Sequence, residues 1–274
     1  MVDMQSHFLD LGTHRLRYRL AGETGPWLLF SNSLGTNLSM WDAQIADLSH
    51  EFRILRYDTR GHGESSAPRA PYTLAELGGD ILALLDALDI DRANFCGISL
   101  GGLTGQWLGI NAADRLDRIV LCATAARIGS AESWNARIVT VKEKGLSVLR
   151  EATLERWFTP QYYLAEQDKV DRLLESLIST AEEGYIGCCS ALAAADFHDN
   201  LPAIYHNVLC ISGDNDPVCP PSELQQIAAS VQNGQHSTLP GKHIVNVESA
   251  KSFNKVVRDF FLERQVASKM HSPN

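Results

Sequence analysis

The segment Gly97-Ile98-Ser99-Leu100-Gly101 sets a serine between two glycines, each two residues away. It follows the apolar run Asn94–Cys96 and precedes a helical pattern at Leu103–Ile110. A sharp strand-to-helix turn of this kind holds the serine in a strained backbone with its hydroxyl exposed. The glycines remove the β-carbons that would strike the neighbouring strand and helix. The five-residue pattern alone is a weak signal; the flanking strand and helix distinguish it from a glycine-rich turn with an incidental serine. A serine hydroxyl is a weak nucleophile, so the chemistry also requires a base within hydrogen-bonding reach and a group that orients that base.

Where such a turn carries the nucleophile, the acid and then the histidine follow it along the chain. His198, His206, His236, His243 and His271 come after Ser99. His243 lies in Gly241-Lys242-His243, after the last strand pattern and before the last helix, in a loop that reaches the sheet edge carrying Ser99. His236 begins the preceding strand, at its wrong end; His198 and His206 precede a strand; His271 is in a polar tail. The acid falls in Gly213-Asp214-Asn215-Asp216-Pro217, directly after the strand Val208–Ser212. Both aspartates are candidates. Asp216 is preferred because it lies further out and is fixed by Pro217, with capping of the turn as its alternative role.

Acyl transfer also requires two donors aimed at the developing oxyanion. The Leu100 amide, at the start of the helix after the serine, is one. The other falls to the loop Ser31-Asn32-Ser33-Leu34-Gly35, where the Leu34 amide is the candidate. The Ser33 hydroxyl either touches substrate or supports the loop. His62, in Arg60-Gly61-His62-Gly63, reads more simply as part of a structural turn at the sheet edge than as a catalytic base.

The elements that must position these groups alternate. Strand patterns at His7–Leu11, Arg15–Leu20, Trp27–Phe30, Phe52–Tyr57, Asn94–Cys96 and Arg118–Ala123 are interleaved with helical ones at Leu74–Leu88 and Leu103–Ile110. This α/β alternation, with the polar loops at strand C-termini, predicts a mostly parallel central sheet flanked by helices on both faces. It stops near Arg127. Helical patterns then run at Trp134–Lys142, Leu146–Phe158, Gln167–Glu182 and Gly187–Ala195. Strands return at Val208–Ser212 and Gln235–Leu239, and Ser252–Leu262 makes a final helix. The expected organisation is a core over 1–127 and 196–274 with an inserted helical cap over 128–195.

A chain of 274 residues is long enough for one such core with an insertion. Its 45% hydrophobic and 21% charged residues give a soluble globular balance. The formal charge of −9, with no basic cluster to offset it, argues against nucleic acid and against an anionic membrane surface as partners. Met1–His7 shows no basic region followed by an apolar run, and the apolar stretches are strand-sized, so neither a signal peptide nor a membrane span is expected. None of the six cysteines has zinc-ligand spacing; Cys96, Cys122 and Cys210 sit in apolar runs as small hydrophobes. These features together suggest a cytoplasmic enzyme; oligomeric state is not indicated.

Several runs carry a resemblance: Ser31-Asn32-Ser33-Leu34-Gly35-Thr36, Ser39-Met40-Trp41-Asp42, Arg56-Tyr57-Asp58-Thr59-Arg60-Gly61-His62-Gly63, Phe95 through Gly102, and Gly105-Gln106-Trp107-Leu108-Gly109. They resemble those of the 3-oxoadipate enol-lactonases, of the α/β-hydrolase superfamily. The Arg-Gly-His-Gly and Gly-x-Ser-x-Gly pieces are common to many α/β-hydrolases; the Ser-Asn-Ser-Leu-Gly-Thr and Gly-Gln-Trp-Leu-Gly runs are more specific. The resemblance implies the α/β-hydrolase fold, and the family's triad falls on Ser99, Asp216 and His243. It implies opening of a small lactone with no metal or organic cofactor. That substrate carries a free carboxylate, which is costly to bury unpaired. The early cap is the natural source of a partner: Trp134 for a wall and donor and Arg137 for the charge, with Arg127, Lys142 and Lys144 as rivals. Another hydrolase on the same triad (a carboxylesterase, a carbon–carbon bond hydrolase or a cofactor-free perhydrolase) and a ligand receptor are the alternatives.

Overall fold

The computed structural model describes residues 5–263. His271 and Met1–Met4 lie outside the described residues. Eight strands, β1 (His7–Asp10), β2 (Arg15–Ala21), β3 (Trp27–Ser31), β4 (Arg53–Tyr57), β5 (Ala93–Ile98), β6 (Leu116–Cys122), β7 (Asn207–Gly213) and β8 (Asn233–Leu239), form one sheet in the order β1-β2-β4-β3-β5-β6-β7-β8. The pairs β1/β2 and β2/β4 are antiparallel; every other pair is parallel. The expected mostly parallel sheet is therefore present.

The burial of each strand follows from its place. β5 is buried at all six residues, as a strand covered on both faces must be, and its one polar side chain, Asn94, donates to Trp27 O. β8 is an edge strand. Its first four residues, Asn233-Gly234-Gln235-His236, are polar or glycine and leave that edge in solvent. His236 is thus in mid-strand rather than at its start, with Nε2 3.0 Å from the Ser212 hydroxyl.

The helices are α1 (Asp42–Leu48), α2 (Leu74–Ala87), α3 (Leu100–Asn111), α4 (Ala131–Lys144), α5 (Arg150–Trp157), α6 (Pro160–Ala165), α7 (Gln167–Ile178), α8 (Glu182–Ala194), α9 (Pro221–Ser230), α10 (Val245–Glu248) and α11 (Ala250–Leu262). α2 begins in a reciprocal cap, with Thr73 accepting from the Glu76 amide and Glu76 from the Thr73 amide. Helices α4 to α8 all fall between β6 and β7. The short helices α1, α6, α9 and α10 stand outside the periodicity reading, because a stretch of four to ten residues shows little of a 3.6-residue period. A proline at the first position of both α6 and α9 was the available signal.

No helix among the described residues is long and apolar enough to cross a membrane. The parallel strands share one C-terminal edge. The loops after β3, β4, β5, β7 and β8, which carry Leu34, His62, Ser99, Asp216 and His243, emerge there. Ligands of open α/β sheets bind at this edge.

Candidate active site

Ser99 follows the last residue of β5 and precedes the first of α3, with φ 57° and ψ −114°. That region is costly for any residue with a β-carbon, and the surroundings hold it in place. The Ser99 amide donates to Cys122 O at 2.9 Å, and the Thr124 hydroxyl donates to Ser99 O at 2.9 Å. The two glycines are required by contact. A β-carbon on Gly97 would lie 2.3 Å from Gly101 O, and one on Gly101 2.3 Å from Ser31 O.

His243 donates from Nδ1 to Asp216 Oδ2 at 2.8 Å, and both side chains are almost wholly buried. The other carboxylate oxygen, Asp216 Oδ1, accepts from the amides of Val218 (2.8 Å) and Cys219 (3.1 Å). Asp214 is exposed, and its Oδ1 accepts from the Gly241 amide at 2.9 Å. The two aspartates of one loop thus divide the work: one meets the imidazole, the other ties the acid loop to the histidine loop. With Nδ1 occupied, Nε2 is the nitrogen left to meet a hydroxyl. No hydrogen bond joins Ser99 to His243 in this structure. Both line one cavity, and such contacts commonly tighten only when substrate is bound.

Leu100 is the first residue of α3, so its amide has no intrahelical acceptor, and the positive end of the helix adds to its pull on an anion. The Leu34 amide donates to no backbone acceptor among the described residues. The two donor segments are stitched together by Gly101 N–H to Asn32 O at 3.0 Å. Asn32 is pinned in turn, donating to Tyr57 O at 2.7 Å and accepting from Trp41 Nε1 at 2.9 Å.

The cavity measures about 180 Å³. Ser33, Leu34, Ser99 and His243 form its floor, and Trp134, Arg137, Arg156, Trp157, Leu177 and Tyr185 from the α4–α8 segment are among its walls. Trp134 lines the cavity, and its indole N–H donates to Ile128 O at 2.6 Å. Arg137 lies over the Trp134 ring, 5.7 Å from its centroid, and reaches the Tyr185 hydroxyl at 3.4 Å. Its rivals are elsewhere. Arg127 is exposed and faces Asp196 at 3.6 Å, and Lys142 and Lys144 are exposed and do not line the cavity.

Arg156 is a cavity residue that the sequence did not single out. Its Nη2 donates to the Thr153 hydroxyl at 3.2 Å. Burial, and then the Arg137 charge, push its guanidinium below the ordinary range. Nothing in the spacing of α5 reveals this, because the face that α5 turns to the cavity depends on how five helices pack. His62, read as part of a turn, is buried and reaches across to the Leu34 loop, with Nε2 accepting from the Gly35 amide at 3.0 Å.

Residues 26–250 match the family model described as the alpha/beta hydrolase fold. The chain is 44% identical over 92% of its length to 3-oxoadipate enol-lactonase 2 of Acinetobacter baylyi, covering 96% of that enzyme. It is 39% identical over 87% of its length to 3-oxoadipate enol-lactonase 1 of the same organism, covering 89% of it. The crystal structure of the enol-lactonase from Burkholderia xenovorans LB400 superposes with a TM-score of 0.92 at 45% identity, covering 94% of this chain and all of that one.

Proposed function

The chain belongs to the α/β-hydrolase family and, within it, to the 3-oxoadipate enol-lactonases, and from that membership we propose that it hydrolyses 3-oxoadipate enol-lactone to 3-oxoadipate in aromatic catabolism. One observation carries the substrate class. Two arginines, Arg137 and Arg156, line the cavity that also holds Ser99 and His243, and neither has a carboxylate partner among the described residues. Two half-buried cations side by side repel each other until an anion joins them. The carboxymethyl arm of the lactone supplies that anion.

In this reading His243 Nε2 takes the proton of the Ser99 hydroxyl as its oxygen attacks the lactone carbonyl. The Leu34 and Leu100 amides receive the oxyanion, and Asp216 holds the imidazole tautomer and stabilises the imidazolium. The ring C–O bond breaks, and the oxygen leaves as an enol with a proton returned from His243. The enol tautomerises to the ketone, which removes it from the reverse reaction. His243 then activates water to release the acyl group from Ser99.

The segment 128–195 acts as the cap that supplies specificity, while the 1–127 and 196–274 parts supply the chemistry. The six cysteines are all buried free thiols, which fits a reducing cytoplasmic setting.

The test is incubation of purified protein with the enol-lactone, following loss of its ultraviolet absorbance and identifying the product by mass. Enzymatic loss with 3-oxoadipate as product is expected. An inert protein, or one that only binds the lactone, would defeat the reading.

A further inference from the structure

We infer that Thr36 and His62 are positioning residues for the oxyanion, locking the peptide planes on the two sides of Leu34 so that its N–H is presented to the cavity. The inference rests on the reading above, in which that N–H receives the oxyanion.

The Leu34 N–H and the Ser33 carbonyl belong to one peptide unit. The peptide is trans, so the two point in opposite directions. Ser33 O accepts twice from Thr36: from its hydroxyl at 2.7 Å and from its amide at 3.2 Å. The carbonyl is thereby turned into the loop, and the N–H is left facing the other way. The Thr36 side chain is itself wholly buried, with its Oγ1 also 3.0 Å from Met40 Sδ. Hydrogen bonds to the carbonyl also polarise the peptide and strengthen its N–H as a donor.

The next peptide plane, Leu34–Gly35, is held by His62. A backbone amide can only donate, so His62 Nε2 must carry the lone pair toward Gly35, and the ring proton sits on Nδ1, which faces Arg60 O at 3.2 Å. Burial holds the His62 pKa down at about 4, so the ring stays neutral and able to accept at neutral pH. Arg60 is anchored by Asp80, with Nε and Nη2 each 2.7 Å from a carboxylate oxygen. A chain of fixed contacts therefore runs from α2 through Arg60 and His62 to the oxyanion loop. An oxyanion donor acts only if it is aimed before the charge develops, and these two side chains supply that aim.

The experiment compares Thr36→Val, Thr36→Ser, His62→Ala and His62→Gln with the unaltered protein. Readouts are kcat and KM on the enol-lactone and on p-nitrophenyl acetate, inhibition by phenylboronic acid and by 3-oxoadipate, and the thermal midpoint. Boronate forms a tetrahedral adduct on serine and so samples the oxyanion site. Thr36→Val and His62→Ala are expected to lower kcat by roughly tenfold or more while KM stays within about threefold. Boronate affinity should fall in step with kcat, and 3-oxoadipate affinity should hold. Thr36→Ser and His62→Gln keep an acceptor or donor at the right place and should recover most of the loss. Folded Thr36→Val with unchanged kcat and boronate affinity would overturn the inference, as would Ser and Gln variants no better than Val and Ala. If the unaltered protein ignores the lactone yet cleaves the nitrophenyl ester, the lactone reading fails, and the positioning roles are judged on the ester.

Discussion

His243 Nδ1 and Asp216 Oδ2 lie 2.8 Å apart, with the two side chains 3% and 0% exposed. With both side chains buried, the carboxylate holds the imidazole proton on Nδ1. An amide in place of the carboxylate can present the wrong group to Nδ1 and leaves an imidazolium unstabilised. Asp216→Asn is therefore expected to lower kcat by on the order of a thousandfold or more. Asp214→Asn removes only part of an exposed loop contact and should cost far less. Steady-state kinetics of the two variants decide it; a dead Asp214 variant beside an active Asp216 variant would reverse the assignment.

The paired arginines make a prediction about discrimination. A site built around a charge rejects an uncharged analogue strongly, because its own cations are then left unpaired. The methyl ester of the lactone side chain should be a poor substrate. Arg137→Ala and Arg156→Ala should each raise KM for the acid and narrow its advantage over the ester. Removing both should nearly abolish the preference. The values of kcat/KM for acid and ester across the four proteins form the cycle that measures this. A preference surviving the double variant intact would place the carboxylate elsewhere.

Acid stability follows from His62. Its pKa is lowered from 6.5 to about 4 by burial, so the unfolded chain binds a proton that the folded protein refuses between those values. Stability from this source is whole above about pH 6.5 and falls as pH drops toward 4, by on the order of 3 kcal/mol. His62→Gln carries no titrating ring. The gap in unfolding free energy between pH 7 and pH 4.5 should be smaller in that variant than in the unaltered protein by about 2 kcal/mol. Equal gaps in urea denaturation would show that His62 is not kept neutral.

The turn glycines give a structural prediction. A methyl group on Gly101 would sit 2.3 Å from Ser31 O and 2.9 Å from Asn32 O, against the backbone at the end of β3 that faces α3. Gly101→Ala should lower the thermal midpoint and remove most activity, since the proposed Leu34 and Leu100 donors lie on the two sides of this seam. Ala at Gly79, which meets nothing within 4 Å, is the matched control and should behave as the unaltered protein.

Much of this arrangement was legible in the residues. The parallel strands read out because burial on both faces makes them continuous apolar runs, as in β5 and β7. Ser99 and His243 read out because each sits in a short loop between elements of clear period. What sets Asp216 apart from Asp214 is visible only in the folded chain: the Val218 and Cys219 amides hold its carboxylate, a contact that the neighbouring Pro217 does not reveal. Arg156 was not legible, because a partly polar helix such as α5 shows no face until its neighbours are in place. The reach of His62 to Gly35 was not legible either, since it joins loops after two different strands and only the pairing of β3 with β4 brings them together.

In the proposed mechanism everything turns on Ser99 carrying the acyl group during lactone opening. Turnover of the enol-lactone by unaltered protein and by Ser99→Ala, measured side by side with the folding of both checked by circular dichroism, tests it most directly. The expected result is a folded Ser99→Ala protein whose kcat is lower by on the order of a thousandfold or more. A folded Ser99→Ala protein that opens the lactone at the unaltered rate would contradict it.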